Sequence, residues 1–289
     1  MLYGKIMQRV FKIISFFIIS KDNRRKFQRK HGILPKYIPV YSDTDTICRK
    51  MFLIQNKDVF TMPNSIKMYC PLYPWDVIQR TIVNTSNFFE QDILYRLLKY
   101  LPKNATILDV GANIGNHSVF FATIGEAKRV IAFEPIPETF RMLTNNIKIN
   151  KIDNIVTAFN MGVGSNNGKG EIDFMASNNI GGTSIKVSDT KNKYSVSIVS
   201  LDRFKLDINK LDFIKIDVEG FEIEALKGMM NIIKKYKPII FIESFPAHCH
   251  DYLPCHAEEV MRIMKSLGYG QPIPFPEYNW LFLPSDTNV

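Results

Sequence analysis

Ile107-Leu108-Asp109-Val110-Gly111-Ala112-Asn113-Ile114-Gly115-Asn116-His117-Ser118 reads as a short apolar strand that runs into a glycine turn and opens a helix. The strand spans Thr106–Val110 and is apolar enough to be buried on both faces; the helix spans Gly115–Ile124. The turn is spaced G-x-x-x-G. It departs from the G-x-G-x-x-G dinucleotide fingerprint because Asn113 stands where a second glycine would let backbone approach a pyrophosphate.

Outward from this turn the chain alternates. Upstream, Leu94, Leu97, Leu98 and Leu101 mark a helix from about Asn84 that stops at Pro102. Downstream come a strand at Arg129–Phe133, a helix at Pro137–Asn150 and a strand at Ile155–Phe159, a run that implies a parallel sheet with right-handed crossovers. Glu171–Met175 and Ser195–Leu201 alternate with period two and read as an inserted antiparallel pair. The rhythm resumes with a strand at Phe213–Ile216, one helix carrying Leu226, Met229, Met230 and Ile233, and a strand at Ile239–Glu243. A helix with Val260, Ile263, Met264 and Leu267 then ends at Gly268, and Asn279–Leu283 is expected to close the sheet as its edge strand.

Ligands of open parallel sheets bind outside the carboxyl ends of the strands, so the residues just after each strand carry the functional reading. The Gly111 turn suits a ligand without pyrophosphate. S-adenosyl-L-methionine fits, since its carboxylate can meet helix N-terminal N–H groups while its ammonium and sulfonium favour an acid such as Asp109. Glu134, in Phe133-Glu134-Pro135, ends the next strand and suits a ribose diol. Asn160 and Met161 follow the third strand and could flank an adenine ring, or form a plain turn. Asp217 and Glu219, in Ile214-Lys215-Ile216-Asp217-Val218-Glu219-Gly220, stand at the mouth of the central strand. Glu219 could simply favour the helix that follows, but an acid ending an apolar strand needs partners, which makes Asp217 a reaction-site candidate.

Asp109–Gly115, Phe133-Glu134-Pro135 and Lys215–Gly220, taken in this order, resemble the FkbM-type methyltransferase family, over about 160 residues from Phe89-Glu90 to Phe241–Ser244. The resemblance implies a Rossmann-like class I methyltransferase: α/β, with a mostly parallel seven-stranded sheet, helices on both faces and an inserted antiparallel hairpin. It implies S-adenosyl-L-methionine as methyl donor and, often, a sugar hydroxyl of a surface glycan or glycosylated metabolite as acceptor. Carried over by position, Asp109, Gly111, Asn113, Gly115 and Glu134 would bind the cofactor. Glu90, Asn116, Pro135, Asn160, Met161 and Asp217 complete the expected cofactor set. Asp217 and Glu219 would line the reaction site, and the proton acceptor is sought among Asp217, Glu219, Glu243 and His248.

His248-Cys249-His250-Asp251-Tyr252-Leu253-Pro254-Cys255-His256 lies outside that resemblance; its spacing is no recognised finger, and no metal is assigned to it. The four cysteines form no CxxC pair and suggest no disulfide framework, which fits a reducing cytoplasm.

The net charge of +9 resides in residues 1–36, which hold ten basic residues against Asp22; the rest carries 27 of each sign, so no nucleic-acid groove is expected. The apolar run Ile13–Ile19 is too short to cross a bilayer, which takes about 20 residues. Residues 1–36 read as a helix lying on an anionic membrane, on the inner face of the cell membrane, or as a basic helix packed on the domain. Residues 37–81, with four prolines, read as an irregular lead-in or lid, and 82–289 as the catalytic domain. Two other readings compete: an NAD(P)-dependent oxidoreductase, disfavoured by Asn113, and a catalytically silent membrane-associated binding module.

Overall fold

The computed structural model describes residues 58–172, 185–186, 194–244 and 257–285. In chain order its elements begin with β1 (Val59–Thr61), β2 (Lys67–Tyr69), α1 (Val77–Thr85), α2 (Gln91–Leu97), β3 (Thr106–Val110) and α3 (Asn116–Thr123). Next come β4 (Arg129–Phe133), α4 (Pro137–Ile149), β5 (Val156–Phe159), β6 (Gly162–Val163), β7 (Gly168–Ile172), β8 (Ile185–Lys186) and β9 (Tyr194–Val199). The last third holds β10 (Phe213–Ile216), α5 (Glu222–Lys227), α6 (Met230–Tyr236), β11 (Ile239–Glu243), α7 (Ala257–Ser266), β12 (Ile273–Phe275) and β13 (Asn279–Phe282).

Seven strands form the main sheet in the order β12-β13-β11-β10-β3-β4-β5. β5, β4, β3, β10 and β11 run parallel, β13 runs against β11, and β12 runs against β13. The strand order reverses between β3 and β10, so a crevice opens at the carboxyl ends of these neighbours. This is the expected α/β class I methyltransferase architecture with one correction: β13 is inserted between β11 and β12 and is not the edge. The edge is β12, which the sequence pattern conceals because Pro272, Pro274 and Pro276 punctuate it. Proline has no N–H to give a ladder and is tolerated at a sheet edge.

Alternate strand residues pack two layers of helix. Leu108, Val110, Ile214, Ile216, Ile240 and Ile242 share a core with Leu226 and Ile233 of α5 and α6 and with Val260 and Met264 of α7. On the other face Phe121 of α3 meets Phe213 with ring centroids 5.7 Å apart, and α3 touches α4. Asp109 and Lys215 are register partners on this second face, where each is almost wholly buried.

Three other expectations are revised. Within the expected lead-in, residues 58–81 hold two short strands: β1 and β2 pair, and Asn146 of α4 and its C-cap Asn150 accept from the Tyr69 and Lys67 N–H groups at 2.6 and 2.8 Å. The helix expected from about Asn84 starts later, at Gln91 as α2, after α1 has ended at Thr85 with its cap Ser86 in the left-handed region. The single helix expected through Met229 is two. Asp202 caps the second by accepting from the Asn231 and Ile232 N–H groups at 3.0 Å. The inserted strands β7 and β9 pair antiparallel as expected, with β7 starting at Gly168, inside a four-stranded sheet ordered β6-β9-β7-β8. Among the described residues no helix is long and apolar enough to cross a membrane.

Candidate active site

A cleft of about 180 Å³ lies at the strand-order reversal, and every strand end beside it supplies a side chain or a turn. Gly111 follows β3, Glu134 and Pro135 follow β4, Asp217 and Glu219 follow β10, and Glu243 ends β11. Asn113 and Glu90 complete the set of expected residues that line it. Asp109, Gly115, Asn116, Asn160 and Met161 do not line the cleft; they stand behind it. His248 and the rest of the His248–His256 cluster lie outside the described residues. Among the described residues no group of three or more His, Cys, Asp or Glu is placed to hold a metal.

The turn after β3 is held by backbone geometry. Gly111 has φ +79°, and a Cβ there would stand 1.7 Å from the Asp217 carbonyl oxygen, so the loops after β3 and β10 can touch only at glycine. Gly115, φ +88°, faces Leu143 of α4, whose Cδ1 would lie 2.6 Å from an added Cβ; its role is helix packing. Asn113 takes φ 51°, a conformation asparagine accepts more readily than most residues, and its N–H donates to Glu134 Oε2 at 2.8 Å.

Glu134 also accepts from the Ile136 N–H (2.9 Å) and the Thr139 hydroxyl (2.7 Å), both on Oε1. Burial pushes its carboxyl up, against the pull of those three hydrogen bonds. A carboxylate offers about four acceptor positions, so one, on Oε2, stays available to a hydroxyl in the cleft. Asn160 fixes the loop from behind, donating to the Glu134 and Pro135 carbonyls at 2.9 and 3.0 Å. Met161 packs against the apolar core.

Lys215, absent from the expected site, is its electrostatic centre. Its Nζ donates to the Gly111 carbonyl at 2.7 Å and lies 3.1 Å from Asp217 Oδ2 and 3.5 Å from Asp109 Oδ1. Burial alone would strip its proton, but Asp217 and Asp109 more than offset this and hold it above the usual lysine range. Asp109 accepts from the Ser118 hydroxyl at 2.5 Å on its other oxygen. It is the buried counter-charge that anchors Lys215 behind the cleft. The signal was legible: a lysine amid the apolar run Phe213–Ile216, on the same strand face as Asp217, must be paired.

The acids facing the cleft are driven apart. Burial raises Asp217, but Lys215 and a hydrogen bond with Glu243 outweigh it and keep the carboxylate below its ordinary range. Burial and the charge of Asp217 push Glu243 up to about 11 and Glu219 to about 8. Glu90 rises to about 7, chiefly by burial. It sits at φ 57° just before α2, presented by a reciprocal amide clasp: the Phe89 N–H donates to Asn116 Oδ1, and Asn116 Nδ2 donates to the Phe89 carbonyl, each at 3.0 Å. His117 Nε2 lies 3.5 Å from Glu90, and burial lowers this imidazole to about 4, so it is neutral beside the acid. Glu277, on the hairpin between β12 and β13, is a further lining acid that sequence reading missed. The main chain brings it there from outside any motif, through a turn with φ 57° at Glu277 and 60° at Tyr278.

The family model of the methyltransferase FkbM domain matches residues 109–270, more than half of the chain. The chain belongs to the FkbM methyltransferase family. Among similar proteins, the hexuronic acid methyltransferase AglP of Haloferax volcanii is 33% identical over 153 residues, 52% of this chain and 61% of that protein. Methyltransferase sdnD of Sordaria araneosa is 29% identical over 139 residues, 48% of this chain and 51% of that protein. The matches thus span between half and two thirds of these relatives. A crystal structure of methyltransferase FkbM from Methylobacillus flagellatus aligns over 91% of this chain and 71% of its own, with a TM-score of 0.42 and 17% identity. A SAM-dependent methyltransferase from Aquifex aeolicus aligns over 68% and 88%, with a TM-score of 0.41 and 16% identity.

Proposed function

We propose that this chain is an S-adenosylmethionine-dependent O-methyltransferase whose acceptor is a sugar hydroxyl. One observation carries the reading: Glu134, anchored by the Asn113 N–H of the glycine turn, keeps an acceptor position in a cleft whose other polar side chains are mostly acids. That donor set suits a ligand with a ribose, an ammonium and a sulfonium. It suits a dinucleotide poorly, because the Asn113 N–H is spent on Glu134. The sugar acceptor is supported by the similarity to the relative described as a hexuronic acid methyltransferase.

In this reading Glu134 holds the ribose, Glu90 faces the ammonium, and the cofactor supplies an electrophilic methyl group on sulfur. Asp217, ionised at neutral pH, orients the acceptor hydroxyl and takes its proton. Glu243 keeps its own proton and donates to Asp217, so it serves as a donor and not as the base. Ile78 and Phe89 add apolar surface to the lining of the cleft. Positioning of this kind can lower a barrier by roughly 7–11 kcal/mol, more than the ~10²–10⁴-fold of a base.

Calorimetry with S-adenosylmethionine, S-adenosylhomocysteine and NADH tests the assignment. Wild-type protein binds the first two and Glu134→Ala loses at least about tenfold in affinity, as expected for a charged hydrogen bond of ~1.5–3 kcal/mol. Binding of NADH alone would refute it.

A further inference from the structure

We infer that the acceptor side of this cleft takes a sugar without a carboxylate, either neutral or amino-bearing, and turns a uronate away. The inference rests on the function proposed above and narrows its substrate class.

Six of the described residues that line the cleft are Glu90, Glu134, Asp217, Glu219, Glu243 and Glu277, and none of the described lining residues is Lys, Arg or His. The nearest buried cation, Lys215, is 3% exposed, and its ammonium is already engaged by Gly111, Asp109 and Asp217. With Glu134 and Glu90 assigned to the cofactor, the acceptor meets Asp217, Glu219, Glu243 and Glu277. Carboxyls that hold their protons donate hydrogen bonds, and ionised ones accept them, so this wall matches a polyol in both directions. An ammonium would donate hydrogen bonds to Asp217, the acid here that keeps its charge. A uronate brings another negative charge and finds no cation among these residues; like-charge juxtaposition of this kind is strongly penalised.

Part of the wall lies outside the segment that the family model matches. Glu277 lies beyond the segment that the family model matches and is exposed at the rim, on the β12–β13 hairpin. A relative that acts on hexuronic acid, as AglP is described, can therefore share the cofactor side and differ here.

The test uses the purified full chain, isotopically labelled S-adenosylmethionine and a total glycan extract from the cells that make the protein. The products are hydrolysed to monosaccharides, whose methyl ethers survive, and uronic acids are separated from neutral and amino sugars. Label is expected in the neutral or amino fraction, at least about tenfold above the uronic fraction. Label concentrated in an O-methyl uronate overturns the inference while leaving the methyltransferase reading intact. No label in any sugar, with S-adenosylmethionine still bound, overturns the sugar acceptor itself. A second arm uses Glu277→Lys, with S-adenosylhomocysteine binding as the check on folding. The uronic share of the label is expected to rise about tenfold; an unchanged share removes Glu277 from the wall.

Discussion

Lys215 keeps its proton inside the protein only because Asp109 and Asp217 flank it, and the dependence is mutual. Lys215→Met leaves Asp109 buried without its counter-charge, so a loss of about 3–5 kcal/mol is expected in denaturant unfolding. Asp217 would then rise toward ordinary carboxylate values or beyond, and the acid limb of the methyl-transfer profile would move to higher pH. An unshifted limb would show that Lys215 does not act on Asp217. The neighbouring acids have separable signatures. Asp217→Asn should lower kcat by ~10²–10⁴-fold with little change in cofactor affinity. Were Glu219, raised to about 8, the proton acceptor in place of Asp217, the rate would climb as pH passes through that value and Glu219→Gln would flatten the climb. Direct plots of kcat against pH for the three proteins decide between these roles.

Elements fix where those side chains stand, and their contacts give a prediction at their own scale. Asn146 of α4 accepts from the Tyr69 N–H of β2 and donates to the Ile114 carbonyl of the glycine turn at 2.8 Å, and it is fully buried. Asn146→Ala strands both backbone groups and should cost roughly 1–3 kcal/mol for each left unsatisfied. Protease sensitivity at β1 and β2 would report the loss. The strands β3, β4, β10 and β11 were legible in the sequence because each is a buried apolar run with its acid or glycine at the carboxyl end. The break between α5 and α6 was not, since the cap at Asp202 comes from 29 residues upstream of Asn231. Likewise β12 hides behind its prolines, and Glu277 reaches the cleft only once β13 has been threaded between β11 and β12. Motifs near a strand end are local; partners delivered by a distant hairpin are not.

For the whole molecule, the raised acids link folding to pH. Between about 4.5 and 8 the native state holds a proton at Glu219 that the unfolded chain has released. The native form therefore binds more protons, and stability falls as pH rises through this window. Melting temperatures should decline from pH 5 to pH 8, by roughly 2–4 °C per kcal/mol lost, with a shallower decline in Glu219→Gln. A flat wild-type profile would contradict the burial of these acids. Residues 1–36, with ten basic side chains and the apolar run Ile13–Ile19, call for a separate measurement. Full-length protein should sediment with vesicles containing phosphatidylserine at low salt and be released as salt screens the attraction. Equal sedimentation with uncharged vesicles would argue against an electrostatic anchor.

The reversed strand β13 has an engineering corollary. It locks into the sheet by main-chain pairing with β11 and β12 and by the buried side chains of Leu281 and Phe282, while the hairpin tip ahead of it carries Glu277 to the rim. Exchanging residues 271–278 between homologues should therefore behave like changing a tool bit in a fixed chuck: donor grip stays put, and only the preferred sugar is retuned.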